Sequence, residues 1–435
     1  MSRKDEITNR IIEICLISLI IFTPLALGTV QPWSIFVMRI VVVVALIAWL
    51  IKILFQPANR QTNLPNVKWR STPLLLPLSI YLFIAIISTI ISPYKWISLN
   101  LLANLFVYTA VYFMIINNLK NKAQIKRIIT IMLLFSLFLG IYGLLDYFNI
   151  LVITPRVSGG IRATSTYYAP NYWAGYLAMI TPIAIALFLF SPWSWYSILT
   201  ILLSILLIIN LAFSYSWGIV GFGVGVIFLT LVRIHFSKRK KITTVIAILT
   251  LTSFAVLGAL SMLSQTPRLP EKNLAERYFH MKRWAPHNLE VRLFMYKKTI
   301  PYILDHPYLG TGLGTFIYAF PQYRPPERRN LWNYAHNDYL QISSEMGLIG
   351  LVAFLFFVIT AWVKGFKALK SASGFIRAAI VGILAGILSI LVHGFFDANL
   401  SVIPANILYF YILIGLLMVL ASSVRSTTNQ STIKR

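Results

Sequence analysis

The chain has 435 residues, 58% hydrophobic and 11% charged, with mean hydropathy +0.76. Soluble domains carry about 25% charged residues, so a soluble globular enzyme is excluded. The formal net charge is +26, yet many of the cations lie in short connections between apolar runs, where they set topology. Nucleic acid is therefore not the expected partner, and anionic membrane lipids are. Cys15 is the single cysteine, which excludes an intramolecular disulfide framework and a cysteine-rich metal site.

Apolar runs of roughly twenty residues recur from end to end, each able to cross about 30 Å of hydrocarbon. Twelve spans are predicted, at about 11–30, 34–55, 73–92, 98–117, 128–146, 171–190, 196–214, 217–233, 242–262, 346–364, 375–395 and 405–422. The first follows Met1-Ser2-Arg3-Lys4 with no small-residue cleavage site and is read as a retained span. Lys52, Arg60, Lys68 and Arg70 surround the second connection, and Lys120, Lys122, Lys126 and Arg127 mark the fourth. Arg233 and the run Lys238–Lys241 mark the eighth, and Lys364, Lys367 and Lys370 the tenth. All are even-numbered, so even connections and both termini are predicted to be cytoplasmic. The expected fold class is an all-α polytopic membrane protein in three regions. Residues 1–262 form a bundle of about nine spans, 263–345 a large loop domain outside the cytoplasm, and 346–435 about three further spans.

The long 263–345 segment carries Arg268, Lys272, Arg277, Lys282, Arg283, Arg292, Lys297, Lys298, Arg324, Arg328 and Arg329. An anionic substrate is one reason for this excess on the outer side, and an ordinary solvated face is the simpler one. Leu293–Leu304 reads as a helix stopped by Asp305-His306-Pro307. Gly310-Thr311-Gly312-Leu313-Gly314 reads as a tight turn without the Lys-Ser/Thr of a P-loop. Asp338–Gly350 is predicted to lead as a helix into the tenth span, with the Gly310 turn and His336 meeting at one cleft mouth. A second outer connection, 147–170, holds Arg156 and Arg162, and Asn171 after Pro170 is expected to cap the sixth span. The last outer connection holds His393, Asp397, Asn399 and Asn406; Asp397 is read as a satisfied polar group at the bundle mouth. Arg39 lies inside the second span, where it snorkels or faces a polar path.

Arginine keeps its charge and offers a planar fork of donors to phosphate, and a histidine near neutral pKa takes a proton from a sugar hydroxyl. Together they suit a glycosyl transfer whose leaving group is a lipid diphosphate. His336 is the candidate base. Arg292 and Arg162 are candidates for holding phosphate, and Arg156, Arg39, Asn337, Asp338, Glu345 and Trp217 complete the candidate set. Glu345 is expected to orient His336 or to cap the local helix. The bland alternative is that His336-Asn337-Asp338 is merely a helix cap. The histidines have no metalloprotease spacing and no metal quartet stands out, so no cofactor or metal is expected.

The chain resembles the O-antigen ligase and O-antigen polymerase superfamily of bacterial envelope enzymes. The resemblance is strongest from Arg292 to Gly350: Arg292-Leu-Phe-Met-Tyr, Asp305-His-Pro-Tyr-Leu-Gly310-Thr-Gly-Leu-Gly-Thr-Phe316, His336-Asn337-Asp338-Tyr-Leu, and Glu345-Met-Gly347-Leu-Ile-Gly350. Arg162-Ala-Thr-Ser-Thr-Tyr with Pro170-Asn171, and His393, Asp397, Asn399 with Pro404-Ala-Asn406, match earlier and later family regions. The resemblance implies a GT-C-like glycosyltransferase of the bacterial inner membrane with its active site facing the periplasm. It implies an inverting, metal-independent transfer from an undecaprenyl-diphosphate glycan. The acceptor is lipid A-core in a ligase and another lipid-linked repeat unit in a polymerase. The family's proposed base carries onto His336, and the arginine opening the late outer-loop helix carries onto Arg292. One match departs: where the family often has Ser-Arg-Gly, this chain has Ser216-Trp217-Gly218, so a permanent cation is missing there. Ligase is the first expectation and polymerase the second. A transporter, with Arg39 and Asp397 lining its path, is a reading from a different class.

Overall fold

The computed structural model describes residues 3–54, 72–119, 121–154, 162–191, 194–236, 274–324 and 333–433, with side chains described except at 3–5, 274–289 and 425–433. The long helices are α1 (Arg3–Leu25), α2 (Pro32–Leu54), α3 (Leu75–Ile91), α4 (Lys95–Asn118), α5 (Lys122–Tyr147), α6 (Pro170–Phe190), α7 (Trp195–Phe213), α8 (Gly218–Phe236) and α9 (Leu274–Asp305). The short α10 (Phe316–Ala319) follows, then α11 (Asp338–Ala368), α12 (Gly374–His393) and α13 (Pro404–Ile433). There is no strand among the described residues, only an isolated bridge between Leu27 and Tyr167. Ten helices (α1, α2, α4 to α8 and α11 to α13) are long and apolar enough to cross a membrane, which makes this a multi-pass membrane protein; α3 is apolar but has 17 residues. The predicted span 242–262 lies outside the described residues, as do Arg156, Arg268, Lys272, Arg328 and Arg329.

The odd-numbered connections gather at one end of the bundle. Thr166 Oγ1 donates to the Pro24 carbonyl (2.8 Å) and the Ala405 N–H to the Gly28 carbonyl (3.2 Å). Ser92 Oγ donates to the Thr311 carbonyl (2.8 Å), and Arg162 Nε to the Ser214 carbonyl (2.7 Å). The alternation read from cation placement thus sorts the loops into two sets, and one set converges.

Lipid tails are as apolar as leucine, so helices in a bilayer associate by close packing rather than by escape from water. Helix α12 meets that requirement with small residues against α6 and α8. Gly382 and Gly386 lie one turn apart. A Cβ at Gly386 would stand 2.3 Å from the Met179 carbonyl oxygen, and one at Gly382 would stand 2.8 Å from Ile183 Cα. On α8, Gly221 meets the Ser389 carbonyl in the same way, at 2.2 Å.

Helix α11 begins at Asp338, as the sequence predicts, but it is kinked at Gly347, whose φ of 71° and ψ of 177° are not helical. Freed backbone groups at membrane depth need partners. The loop after α9 supplies them: Leu348 N–H donates to the Pro307 carbonyl (2.8 Å), Thr311 N–H to Ser344 (3.2 Å) and Gly312 N–H to Glu345 (2.8 Å). Ser88 Oγ on α3 adds a bond to the Glu345 carbonyl (2.9 Å). The glycine turn therefore docks on this kink, roughly two and a half helical turns beyond His336, and does not meet His336 at a common mouth. The reason is that its backbone donors are needed to repair α11.

Replacing Gly386 with valine would force α6 and α12 apart. Overpacking of this kind costs about 1–3 kcal/mol, so Gly386→Val is expected to lower the thermal unfolding midpoint of the purified protein in detergent. An unchanged midpoint would count against the close α6–α12 contact.

Candidate functional site

The converging loops enclose a buried carboxylate, Asp397, in the connection between α12 and α13. Its Oδ1 lies 3.1 Å from His336 Nδ1 and accepts the Ala398 N–H (2.9 Å). Its Oδ2 accepts from Asn171 Nδ2 and lies 3.5 Å from Arg292 Nη2. Burial opposes ionisation of Asp397. The hydrogen bond and charge of His336, with Arg292 and His393, outweigh burial and hold its carboxyl below the usual carboxylate range. Asp397 is thus the negative centre to which three other parts of the chain are tied.

Two arginines flank it. Arg292, on α9, is 7% exposed, and its Nη1 is buried without a hydrogen-bond partner. Arg162 donates from Nε to the Ser214 carbonyl (2.7 Å), and from Nη2 to the Tyr215 carbonyl (3.0 Å) and Asn171 Oδ1 (2.8 Å). Burial and the like charge of Arg292 pull the Arg162 guanidinium down to about 10, against the opposing pull of Asp397. It remains a cation at neutral pH. Asn171 bridges the two charges of opposite sign, its oxygen to Arg162 and its nitrogen to Asp397. The expectation that Asn171 caps α6 is corrected: Ala169 is the N-cap, with no side-chain cap bond, because Asn171 is committed to the two charged side chains.

His336 is placed by what surrounds it. Its backbone is left-handed (φ 49°), a conformation that costs a non-glycine residue about 1–3 kcal/mol. The Tyr296 hydroxyl on α9 lies 3.0 Å from its carbonyl and 2.8 Å from the Phe395 carbonyl. Because the partner of Nδ1 is an ionised carboxylate, Nδ1 carries the proton in the neutral ring and Nε2 carries the lone pair. The side chain is one-third exposed.

The next two residues build the start of α11. Asn337 is the N-cap, its Oδ1 accepting the N–H groups of Tyr339 and Leu340 at 3.0 Å each, while its Nδ2 donates to the Phe395 carbonyl (3.0 Å). Asp338 Oδ1 accepts from the Leu400 N–H (2.8 Å), the Ser401 N–H (2.9 Å) and the Ser401 hydroxyl (2.7 Å), and its Oδ2 from the Asn399 N–H (3.2 Å). These bonds clasp the Asp397 loop to α11. The cap reading holds for Asn337, while His336 is turned to Asp397 and Asp338 to the loop 399–401.

Other candidates lie elsewhere. Glu345 neither orients His336 nor caps a helix: its Oε1 accepts from Gln341 Nε2 (2.6 Å) and the Phe316 N–H (3.4 Å), tying α10 to α11. Arg39 donates to Asn104 and Asn100 on α4 rather than to the Asp397 cluster. Trp217 stacks on Phe396, with ring centroids 5.0 Å apart, and its indole N–H is buried without a partner. Arg162 brings a cation to this turn from another loop, binding the carbonyls of Ser214 and Tyr215 just before Trp217.

Sequence reasoning names Asp397 as a satisfied polar group and Asn171 as a cap, and leaves both outside the candidate site set. A signal was available for the first: Asp and Glu number only 12 in the whole chain, so a carboxylate between two late spans is informative.

The fold and the cluster define a multi-pass helical membrane protein with arginines and histidines gathered around a buried carboxylate at one end of the bundle, and comparison narrows the class. The family described as O-Antigen ligase matches residues 202–355, a segment that holds Trp217, Arg292, His336 and Glu345. A protein of Rickettsia prowazekii named "Putative polysaccharide ligase" is 28% identical over 297 residues, 64% of this chain and 65% of that protein. Rickettsia conorii and Rickettsia typhi proteins of the same name are 29% identical over 200 residues (43% and 46%) and 26% over 222 residues (48% and 51%). The matches span about half to two thirds of these relatives' length. They bear out the resemblance to the O-antigen ligase superfamily.

The Asp338 clasp is testable. An amide in place of the carboxylate would turn one acceptor into a donor facing buried donors, which costs about 1–3 kcal/mol. Asp338→Asn is expected to lower the thermal unfolding midpoint, and Asp338→Glu to restore it only in part. A midpoint equal to wild type in Asp338→Asn would show that the clasp contributes nothing.

Proposed function

We propose that the protein is a membrane glycosyltransferase that transfers a glycan from an undecaprenyl-diphosphate carrier to lipid A-core oligosaccharide, in the bacterial inner membrane with the cluster facing the periplasm. The observation that carries this reading is the triad of Asp397, His336 and Arg292 with an unpartnered Arg292 Nη1. A base with a free lone pair stands beside a buried donor that lacks an acceptor. A sugar hydroxyl and a diphosphate oxygen are the two groups such a pair needs.

In the proposed reaction His336 Nε2 takes the proton of the acceptor hydroxyl as its oxygen attacks the anomeric carbon. The new C–O bond forms on the face opposite the leaving group, so the configuration inverts. The bond from the anomeric carbon to the diphosphate oxygen breaks, and the charge that develops there is met by Arg292, with Arg162 behind it and the Trp217 indole N–H as a neutral donor. Stabilising that charge in a site of low dielectric is the larger part of the work. Asp397 does not take the proton; it fixes the tautomer of His336 and favours the imidazolium that forms. Anionic phospholipids are expected around the protein because of its charge.

A polymerase that uses a second lipid-linked repeat unit as acceptor is the other reading. It is favoured by one observation: arginines from two separate outer connections are tied to the same carboxylate, Arg292 directly and Arg162 through Asn171.

Incubating the purified protein in lipid with an undecaprenyl-diphosphate glycan, with and without lipid A-core, separates the readings. Modified lipid A-core supports the ligase, longer lipid-linked glycans without it support the polymerase, and neither product sinks both. His336→Ala is expected to keep donor binding and lose transfer by about 10²–10⁴-fold, the range of a general base. Because arginines meet the diphosphate charge, transfer is expected to survive a chelator unchanged; loss on chelation, restored by a divalent cation, would reject that assignment.

A further inference from the structure

Arg39 is an intramembrane cation that the glycosyl-transfer site does not use. It lies seven residues into α2, roughly 10 Å along the helix from its start. That start is at the end of the bundle where the Asp397 cluster sits, since the adjoining loop bonds through Gly28 to Ala405. Helical side chains tilt towards the N-terminus, so the guanidinium points back to the nearer membrane surface, within reach of the phosphate layer.

Its partners are neutral. Nε donates to Asn104 Oδ1 (2.9 Å), and Nη2 to the Asn100 carbonyl and Asn100 Oδ1, each 2.7 Å. Asn104 is 2% exposed and its Nδ2 is buried without a partner, so the amide is oriented for the arginine at the expense of its own donor. The arrangement fixes the plane of the guanidinium and, among the described residues, leaves Nη1 without a hydrogen bond or a carboxylate paired with it. Charged side chains at membrane depth pair with something.

The surface around it is lipid-facing. Phe36 and Ile40 on α2, and Trp96 and Leu99 on α4, are exposed, Trp96 to 85%. Trp96, Asn100 and Asn104 recur every four residues and share one stripe of α4, with an aromatic ring at the boundary and amides below it. Lys95 adds a second cation at the same boundary. The face thus offers a fixed cation, a surface lysine and hydrocarbon contacts to one kind of molecule.

We propose that the Arg39–Asn100 face of α2 and α4 is a binding site for the phosphate of an anionic two-chain phospholipid in the adjacent leaflet, separate from the Asp397 cluster. The phosphate oxygens take the Nη1 donor and the charge of Arg39, with Lys95 at the rim, and the acyl chains lie along Phe36, Ile40 and Leu99. Charge complementarity commits the occupant to an anionic lipid, and the open bilayer exposure of the face favours a bulk phospholipid over a substrate held in the cluster.

The test is native mass spectrometry of the full-length, delipidated protein titrated with phosphatidylglycerol, undecaprenyl phosphate or diolein. Wild type is expected to retain phosphatidylglycerol at least about tenfold over diolein, Arg39→Gln to lose that preference, and His336→Ala to keep it. Preference unaltered in Arg39→Gln, or absent in wild type, overturns the proposal. Retention of undecaprenyl phosphate over phosphatidylglycerol that Arg39→Gln abolishes and Arg292→Gln leaves intact reassigns the face to the carrier lipid and also overturns it. If Arg39→Gln does not fold, a phosphatidylglycerol bearing a photoreactive acyl chain decides with wild-type protein. Crosslinks at Phe36, Ile40 or Leu99 support the site, and their absence from α2 and α4 rejects it.

Discussion

Asp397 must stay ionised where almost no water reaches it, and one end of the bundle is organised around that requirement. An isolated buried carboxylate costs several kcal/mol and would take up a proton instead. Here it is compensated by a histidine before α11, an arginine on α9 and an asparagine on α6. Removing any one partner alters the positions of the others, because they share two oxygen atoms. The compensation is also more than neutral: Arg162 and Arg292 bring two positive charges to one negative one. The surplus, and the orphaned Nη1 of Arg292, are what a folded protein would not retain for stability alone.

The chain separates the residues that build this geometry from those left open. Asn337 and Asp338 spend their polar atoms on the start of α11 and on the loop 394–401, whereas His336 between them and the loop keeps Nε2 free. Strain is concentrated in the same place. Ser165, Tyr215 and His336 are all left-handed non-glycine residues, and each lies in a connection that contributes to the cluster. Rigid helices below, closed by Gly382 and Gly386, resist the distortion that such positions would otherwise relieve.

Much of the fold is legible in the sequence because a bilayer imposes a simple rule: about twenty apolar residues for each crossing, with cations on one side. That rule recovers the helices and the alternation of their loops, and the stop at Asp305 follows from the His-Pro that comes next. The site is less legible because its determinants are tertiary. Asn171 looks like a cap since it follows Pro170, and nothing local reveals a carboxylate that lies 226 positions away in the chain. Glu345 lies nine residues beyond His336 in the sequence, and the kink at Gly347 brings the Gly310 loop and α10 against it, so that its side chain is taken by Gln341 and the Phe316 N–H. Chemistry singles out the histidine and the arginines as candidates, whereas Asp397 reads as a satisfied polar group, because a lone aspartate has the same spelling whether it is structural or joins other charged groups.

Trp217 and Arg162 meet at one turn from different loops. A tryptophan at this turn would leave a cluster short of one cation if roles were tied to sequence positions. Arg162 reaches the same turn from a different loop and binds two of its carbonyls, so the cation stands within the same few ångströms of protein. The indole then does two things an arginine there would not: it stacks on Phe396, next to Asp397, and it presents a neutral donor. On the proposed reading, the diphosphate meets a permanent charge from one element and a fixed dipole from another. The electrostatics of the site are therefore set by which groups the loops bring together, and the local motif need not contain the arginine for its field to be present.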